Sequence, residues 1–224
     1  MTSLPHSNGA IRRAGPPVED AAAVAIVLHG RGASAESILD LGLAFDLDDL
    51  ALLAPQADGH TWYPFSFLAP LDHNEPYLTG ALARIDHLFQ EVLSRGIPAE
   101  RIALIGFSQG ACLSLEYTAR SAHHPGAVVA LSGGLIGNGH VTGSAPPEDK
   151  TFDYEGDLSG CRVFLGCSDV DAHIPLARVQ RSAAVLSGLG AEVDARIYPG
   201  MGHTVNADEL TAGRAVLAAL RPSR

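Results

Sequence analysis

The chain has 224 residues, of which 46% are hydrophobic and 18% are charged. This length and composition fit a globular domain around one core and exclude an intrinsically disordered chain. Fifteen Lys and Arg against 25 Asp and Glu give a formal net charge of −10, so a polyanion such as nucleic acid is not an expected partner.

The amino-terminal segment carries no strong structural pattern. Residues 1–21 are predicted to be an extension or edge segment ahead of a single domain over residues 22–224, and His6 is expected to be solvated there. No apolar stretch typical of a secretory signal or a membrane span is present, and the 3 cysteines form no C-x-x-C pair. We therefore expect a cytoplasmic protein without integral membrane association.

The first strongly periodic region predicts a strand, a helix and a second strand. The apolar run Val24–Leu28 is typical of a strand buried on both faces. A helix capped by Ser34 or Ser37 is expected to run to about Phe45. The apolar run Leu50–Ala54 predicts the next strand.

Residues 57–76 interrupt the pattern as an unusually apolar loop. They include Trp62, Tyr63, Phe65 and Phe67 among several prolines. Loops normally run through water, so these side chains need a place to be buried. Either they fold back onto the sheet as a satellite cluster or they wall a ligand pocket, and the sequence leaves both open.

The remainder of the chain alternates helices and strands. The predicted elements are, in chain order, a helix at Tyr77–Ser94, a strand at Arg101–Phe107, a helix from Gln109 to about Ala122, strands at Ala127–Leu131 and Arg162–Cys167, a helix at about Pro175–Leu189, a strand at Val193–Tyr198 and a helix at about Ala207–Leu220. The polar stretch Gly137–Gly160 is expected to be a surface excursion. Such alternation is typical of an α/β fold with a parallel sheet covered on both faces.

One serine lies directly between a predicted strand and a predicted helix. The sequence Gly106–Gly110 (GFSQG) matches the G-x-S-x-G pattern. In that setting the serine has strained backbone angles and an exposed Oγ above the carboxyl edge of the sheet. The first N–H groups of the helix lie beside it and stabilise an oxyanion. The pattern predicts that Ser108 is a nucleophile.

A serine hydroxyl needs a base that accepts its proton. His203 follows the last predicted strand, between accessible glycines, and is placed to reach over the sheet edge. The carboxylate that orients such a base is expected after the preceding strand, where both Asp169 and Asp171 lie. We favour Asp171 because the Asp-x-x-Ile-Pro spacing places it just before the helix that Pro175 opens. The chain order Ser108, Asp171, His203 is that of the α/β-hydrolase arrangement.

The sequence LHGRG follows the first strong strand and predicts an oxyanion hole. In the α/β-hydrolase arrangement one donor is the N–H after the nucleophile, here Gln109, and the other comes from this loop, here Arg31. Gly30 and Gly32 allow the loop to approach the reacting carbonyl. The alternative is an ordinary strand-to-helix turn.

With these loops in place, the chain resembles the phospholipase/carboxylesterase family of small α/β-hydrolases, which includes bacterial carboxylesterases and acyl-protein thioesterases. The matching motifs are LHGRG (Leu28–Gly32), APQA (Ala54–Ala57), Trp62-Tyr63, GFSQGA (Gly106–Ala111), LSG (Leu131–Gly133), Asp171-x-x-Ile-Pro175 and Gly202-His203. The resemblance implies an α/β-hydrolase fold without a large cap domain. It also implies catalytic Ser108, Asp171 and His203, and no metal or other cofactor.

The resemblance further implies a small-molecule substrate, a short- to medium-chain acyl or aryl ester, with acyl-protein or other thioesters and lysophospholipids as alternatives. The candidate substrate-binding residues are Trp62, Tyr63, Phe65 and Ile174, and Trp62 is the best single candidate for a pocket wall. Relatives usually carry a different residue in place of Arg31, so substrate preference is not carried over with the chemistry.

Two functions outside ester hydrolysis are also considered. A non-catalytic ligand-binding protein of the same fold is one, although the intact set of Ser108, Asp171 and His203 argues against it. Acyl transfer to an acceptor other than water is the other, and only product analysis with competing alcohols separates it from hydrolysis. A homodimer through an exposed apolar surface is compatible with the sequence, which does not determine the oligomeric state.

Overall fold

The computed structural model describes residues 3–137 and 152–221, and a mostly parallel sheet forms its centre. The strands of the described residues are β1 (Ile11–Ala14), β2 (Ala23–Leu28), β3 (Leu50–Pro55), β4 (Ile102–Phe107), β5 (Ala127–Leu131), β6 (Arg162–Ser168) and β7 (Glu192–Tyr198). Their spatial order is β1-β3-β2-β4-β5-β6-β7. Strands β2 to β7 pair in parallel, and β1 pairs with β3 in the antiparallel direction.

Five α-helices pack on the parallel sheet in the described residues. They are α1 (Ala35–Leu43), α2 (Tyr77–Ser94), α3 (Gln109–Arg120), α4 (Leu176–Gly188) and α5 (Ala207–Ala218). All five helices and the six parallel strands were predicted, and their ends fall within about two residues of the predicted ones. Ser34 rather than Ser37 caps α1, because its side chain accepts the Ser37 N–H. No helix in the described ranges is long and apolar enough to cross a membrane.

Strand β2 shows why its sequence is a continuous apolar run. Val24, Ile26 and Leu28 belong to the core between the sheet and helices α2, α3 and α4. Ala25 and Val27 point to the opposite face and join the core under α1 and α5. Because successive side chains of a strand alternate between faces, a strand covered on both sides is apolar at every position. The predicted fold class is confirmed.

The amino-terminal segment corrects one expectation. His6 is fully buried rather than solvated, and its Nδ1 accepts the Asp58 N–H at 3.0 Å. Its Nε2 therefore carries the proton and donates to the Trp62 carbonyl oxygen at 3.0 Å. Arg84 on α2 donates to the carbonyls of Ser7 and Gly9. Short-range sequence pattern does not reveal this docking, because its partners lie far along the chain.

The stretch Gly137–Gly160 is anchored to the core at two positions where it is described. Residues 138–151 lie outside the described residues. Phe152 and Leu158 are 6% and 1% exposed and belong to the core, and the hydroxyl of Tyr154 donates to the buried Glu116 at 2.9 Å. The other residues of 152–160, apart from the half-buried Tyr154, are exposed, so this part is a surface segment, as predicted, that Phe152 and Leu158 anchor to the core.

Candidate active site

The junction between β4 and α3 holds Ser108 in a strained turn. Its φ of 55° and ψ of −117° lie in a region that residues other than glycine rarely adopt. The Ser108 N–H donates to the Leu131 carbonyl at 3.0 Å, which ties the turn to β5. The turn is tight: a Cβ atom at Gly106 would lie 2.3 Å from the Gly110 oxygen, and one at Gly110 would lie 2.0 Å from the Leu28 oxygen. The glycines of the pentapeptide are thus required by packing.

Replacing Gly110 with alanine is expected to destabilise the protein by at least about 3 kcal/mol, because backbone atoms of β2 must move to admit the methyl group. Gly188 is the matched control. A Cβ atom there meets nothing within 4 Å, so Gly188→Ala is expected to be neutral or to stabilise by about 1 kcal/mol. Urea unfolding measures both. Equal unfolding free energies for the two variants would contradict the tight-turn account.

Ser108, His203 and Asp171 form a continuous hydrogen-bonded chain. His203 Nε2 lies 3.0 Å from Ser108 Oγ, and His203 Nδ1 lies 2.7 Å from Asp171 Oδ2. The Asp171 side chain is fully buried, whereas that of His203 is 21% exposed. The loop after β7 approaches the sheet edge through Gly202, whose N–H donates to Ser168 Oγ at 3.1 Å. The structure therefore brings together three residues that lie far apart in the sequence.

Asp171 is held as a carboxylate. Burial alone would raise its pKa, but hydrogen bonds from His203 and from the backbone N–H groups of His173 and Ile174 lower it. Because an ionised carboxylate only accepts hydrogen bonds, His203 Nδ1 must be the donor. The Nε2 lone pair of a neutral His203 then faces the Ser108 hydroxyl, which is the orientation a general base needs.

The second candidate acid, Asp169, serves another purpose. Its Oδ1 accepts the N–H of Gly200 at 2.8 Å and so fixes the start of the loop after β7. The structure thus places Asp171, and not Asp169, against His203.

The candidate oxyanion donors are the backbone N–H groups of Arg31 and Gln109. Within residues 3–137 and 152–221, the N–H groups of Arg31 and Gln109 donate to no protein acceptor. A Cβ atom built at Gly30 would lie 3.5 Å from Ser108 Cβ, so the loop borders the serine. Gly32 has a φ of 75°, which favours glycine there.

A buried hydrogen-bond network fixes the loop that carries Arg31. His29 Nε2 accepts the Ala57 N–H at 3.1 Å, so its Nδ1 is protonated and donates to the Gly30 carbonyl at 2.8 Å. The Trp62 indole N–H donates to the His29 carbonyl at 2.9 Å. The Gln109 side chain adds a second link to Trp62, because its Oε1 accepts the Trp62 N–H at 2.9 Å. The loops on both sides of Ser108 are therefore coupled.

A cavity of about 650 Å³ opens above Ser108. Its lining in the described residues combines apolar side chains with Arg31 and two imidazoles, and consists of Gly30, Arg31, Ala33, Pro64, Phe65, Ser66, Phe67, Phe107, Ser108, Gln109, Cys112, His173, Ile174 and His203. This size lies within the range of small-molecule sites, roughly 300–1,000 Å³.

The pocket corrects part of the substrate-binding prediction. Phe65 and Ile174 line the cavity, whereas Trp62 and Tyr63 do not. Trp62 and Tyr63 are 0% and 1% exposed and belong to the core behind the wall. The apolar loop is thus a core cluster in one part and a pocket wall in another. Phe67 serves both, since it packs into the core and lines the cavity.

Sequence reasoning missed Phe107 and Cys112 among the lining residues, whereas His173 was expected to be a wall residue. Phe107 packs at 4.9 Å between ring centroids from His203, and His173 lies edge-on to the same imidazole at 4.8 Å. The position of Phe107 directly before the predicted nucleophile could have indicated that it lines the pocket. Cys112, one turn into α3, carried no signal beyond an apolar helix face.

Comparison with known proteins identifies the family of this chain. A family model described as phospholipase/carboxylesterase matches residues 13–220. The chain belongs to the phospholipase/carboxylesterase family. A solved structure of a phospholipase/carboxylesterase from Dyadobacter fermentans is 38% identical, with a TM-score of 0.86, and the match covers 97% of this chain and 99% of that one. The family comprises hydrolases of carboxylic esters.

Other relatives of the family are more distant. Acyl-protein thioesterase 1 of Gibberella zeae is 31% identical over 62% of this chain and 56% of its own length, so the chain spans about half the length of the curated relatives it matches. A carboxylesterase structure from Bacillus cereus is 15% identical, with a TM-score of 0.71 and coverage of 96% of this chain and 95% of that one. At that identity the likeness shows the α/β-hydrolase fold alone.

Proposed function

We propose that this protein is a serine hydrolase that cleaves short- to medium-chain acyl or aryl esters through an acyl-enzyme on Ser108. The observation that carries the proposal is the hydrogen-bonded chain from Ser108 through His203 to Asp171, at 3.0 Å and 2.7 Å, at the base of a cavity. The backbone N–H groups of Arg31 and Gln109, which have no acceptor among the described residues, would stabilise the oxyanion of the reaction.

In the first half-reaction Ser108 Oγ attacks the ester carbonyl carbon while His203 Nε2 takes the hydroxyl proton. The carbonyl oxygen becomes an oxyanion, which the N–H groups of Arg31 and Gln109 stabilise. Asp171 stabilises the imidazolium that forms. The C–O bond to the leaving group then breaks, and His203 returns its proton to the departing alcohol.

The second half-reaction repeats these steps with water. His203 removes a proton from a water molecule, whose oxygen attacks the acyl carbon of the Ser108 ester. Collapse of the second tetrahedral intermediate breaks the bond to Oγ, and His203 reprotonates the serine. The carboxylic acid then leaves the cavity, and Phe65 and Ile174, which line it, are the proposed contacts of the acyl chain.

A thioester is the second candidate substrate. The Gibberella zeae relative that favours it is named an acyl-protein thioesterase. Ser108, His203 and Asp171 serve both reactions, because an oxyanion forms whether the leaving atom is oxygen or sulfur. The choice between them therefore depends on the cavity and the leaving group.

The test is a series of p-nitrophenyl esters from acetate to dodecanoate, with acyl-thiocholines of matching length. The expected result is a kcat/KM maximum at short or medium chain length, with esters turned over at least as fast as thioesters. A higher kcat/KM for every thioester than for its ester would assign thioester hydrolysis instead. No turnover of any member would overturn both candidates.

A further inference from the structure

The candidate cavity contains a cationic side chain in a protein whose formal net charge is −10. One full cation, the Arg31 guanidinium, lines it together with the imidazoles of His173 and His203. Among the described lining residues there is no aspartate or glutamate. Since the molecule as a whole is acidic, a cation at the cavity is a local feature that bears on the ligand.

The charge of Arg31 is not neutralised by a neighbouring carboxylate. Its Nη1 donates to the Pro64 carbonyl at 2.8 Å and its Nη2 to the Phe65 carbonyl at 2.5 Å. These acceptors are neutral, and no carboxylate lies within ion-pair distance of Arg31 in the part of the chain that the structure describes. Several exposed arginines elsewhere do pair with a carboxylate, as Arg12 does with Glu36.

The two hydrogen bonds also hold the guanidinium at the cavity. The guanidinium lies over the Tyr63 ring, 5.9 Å from its centroid. A guanidinium has five N–H donors in a fixed fork, so three remain after the two carbonyls are bound. An anchored cation with free donors is organised in advance for an anionic acceptor, because little side-chain freedom is lost on binding.

We propose that Arg31 makes this site selective for esters that carry a carboxylate, such as half-esters of dicarboxylic acids or esters of hydroxy acids. The inference rests on the proposed esterase function and names its substrate class. The substrate carboxylate accepts hydrogen bonds from the Arg31 fork while the ester carbonyl lies against Ser108 Oγ. A charge-assisted contact of this kind is expected to raise kcat/KM by about ten- to hundredfold over an uncharged analogue.

The experiment compares matched esters in low salt. Monomethyl glutarate is paired with methyl pentanoate, in which a methyl group replaces the carboxylate, to place the charge on the acyl side. Carboxymethyl butyrate is paired with ethyl butyrate, again with a methyl group in place of the carboxylate, to place the charge on the alcohol side. Acid release is followed by NMR. At least one anionic member is expected to exceed its neutral partner by about tenfold or more in kcat/KM, and this ratio is expected to fall as NaCl is added.

Two substitutions of Arg31 separate its charge from its role in holding the loop. Arg31→Gln removes the charge, whereas Arg31→Lys keeps it and loses the fork. Because both variants weaken the link to the carbonyls of Pro64 and Phe65, the anionic-to-neutral ratio within each variant is the informative quantity. The ratio is expected to fall to about one or below in Arg31→Gln and to stay largely intact in Arg31→Lys.

Arg214→Gln is the control for net charge. Arg214 pairs with Asp46 at 2.6 Å and does not line the cavity, so the ratio is expected to be unchanged. A wild-type ratio of one or less in both pairs, or an unchanged ratio in Arg31→Gln, would overturn the inference. Loss of all ester turnover, p-nitrophenyl butyrate included, would instead overturn the proposed function.

Discussion

Replacing Ser108 with alanine is expected to lower kcat on p-nitrophenyl butyrate by about 10⁴- to 10⁶-fold. Without Oγ no acyl-enzyme forms, and His203 lacks the hydroxyl that lies 3.0 Å from its Nε2. What remains is the stabilisation of an oxyanion and the binding of the ester. The measurement is steady-state hydrolysis by purified protein, with circular dichroism to show that the fold is retained.

Ser114→Ala is the matched control for this prediction. Ser114 lies on the same helix, is fully buried and donates to the Gly110 carbonyl at 2.9 Å. Its loss costs about 1 kcal/mol of stability and leaves kcat of the folded protein near that of the wild type. Equal activity of the wild type and Ser108→Ala would mean that another group carries the reaction.

Replacing Asp171 with asparagine is expected to lower kcat by about 10⁴-fold. The substitution keeps the shape of the side chain, but an amide group facing His203 Nδ1 admits the wrong tautomer and no longer stabilises the imidazolium. Nε2 then carries a proton and does not accept one from Ser108. Because the pKa of Asp171 lies below its usual value, the wild-type carboxylate stays charged throughout the neutral range, and the loss is expected across that range.

Asp169→Asn serves as its control because Asp169 lies in the same loop. The asparagine oxygen still accepts the Gly200 N–H that Asp169 binds at 2.8 Å, so kcat is expected to change less than about tenfold. A comparable loss in both variants would assign the two carboxylates one shared structural role, and a larger loss in Asp169→Asn would reverse their order.

The parallel part of the fold was predictable from the sequence because its strands are buried on both faces. Runs such as Val24–Leu28 are continuous in hydrophobicity for that reason, and the helices between them carry a 3.6-residue period. Strand β1 was not predictable as a strand, because it is short and polar and is defined by its pairing with β3. His6 was misjudged for a related reason: its burial depends on Trp62 and Asp58, which are distant in sequence.

The candidate site was likewise predictable from the sequence only in part. Ser108, His203 and Asp171 follow the carboxyl ends of parallel strands, so topology alone predicts that they meet at one edge of the sheet. The residues that line the pocket were harder to predict, because the composition of a loop does not show in which direction a side chain points. Trp62 points into the core, where its indole N–H finds the His29 carbonyl, and Phe65, 55% exposed, lies at the cavity instead.

Covalent labelling of Ser108 tests the central claim most directly. A fluorophosphonate is attacked by an activated serine and mimics the tetrahedral intermediate, so it reports the nucleophile and the base together. The account predicts one adduct per chain, located at Ser108 by peptide mass spectrometry and lost in His203→Ala. An unlabelled wild-type protein, or an adduct on a residue other than Ser108, would contradict it.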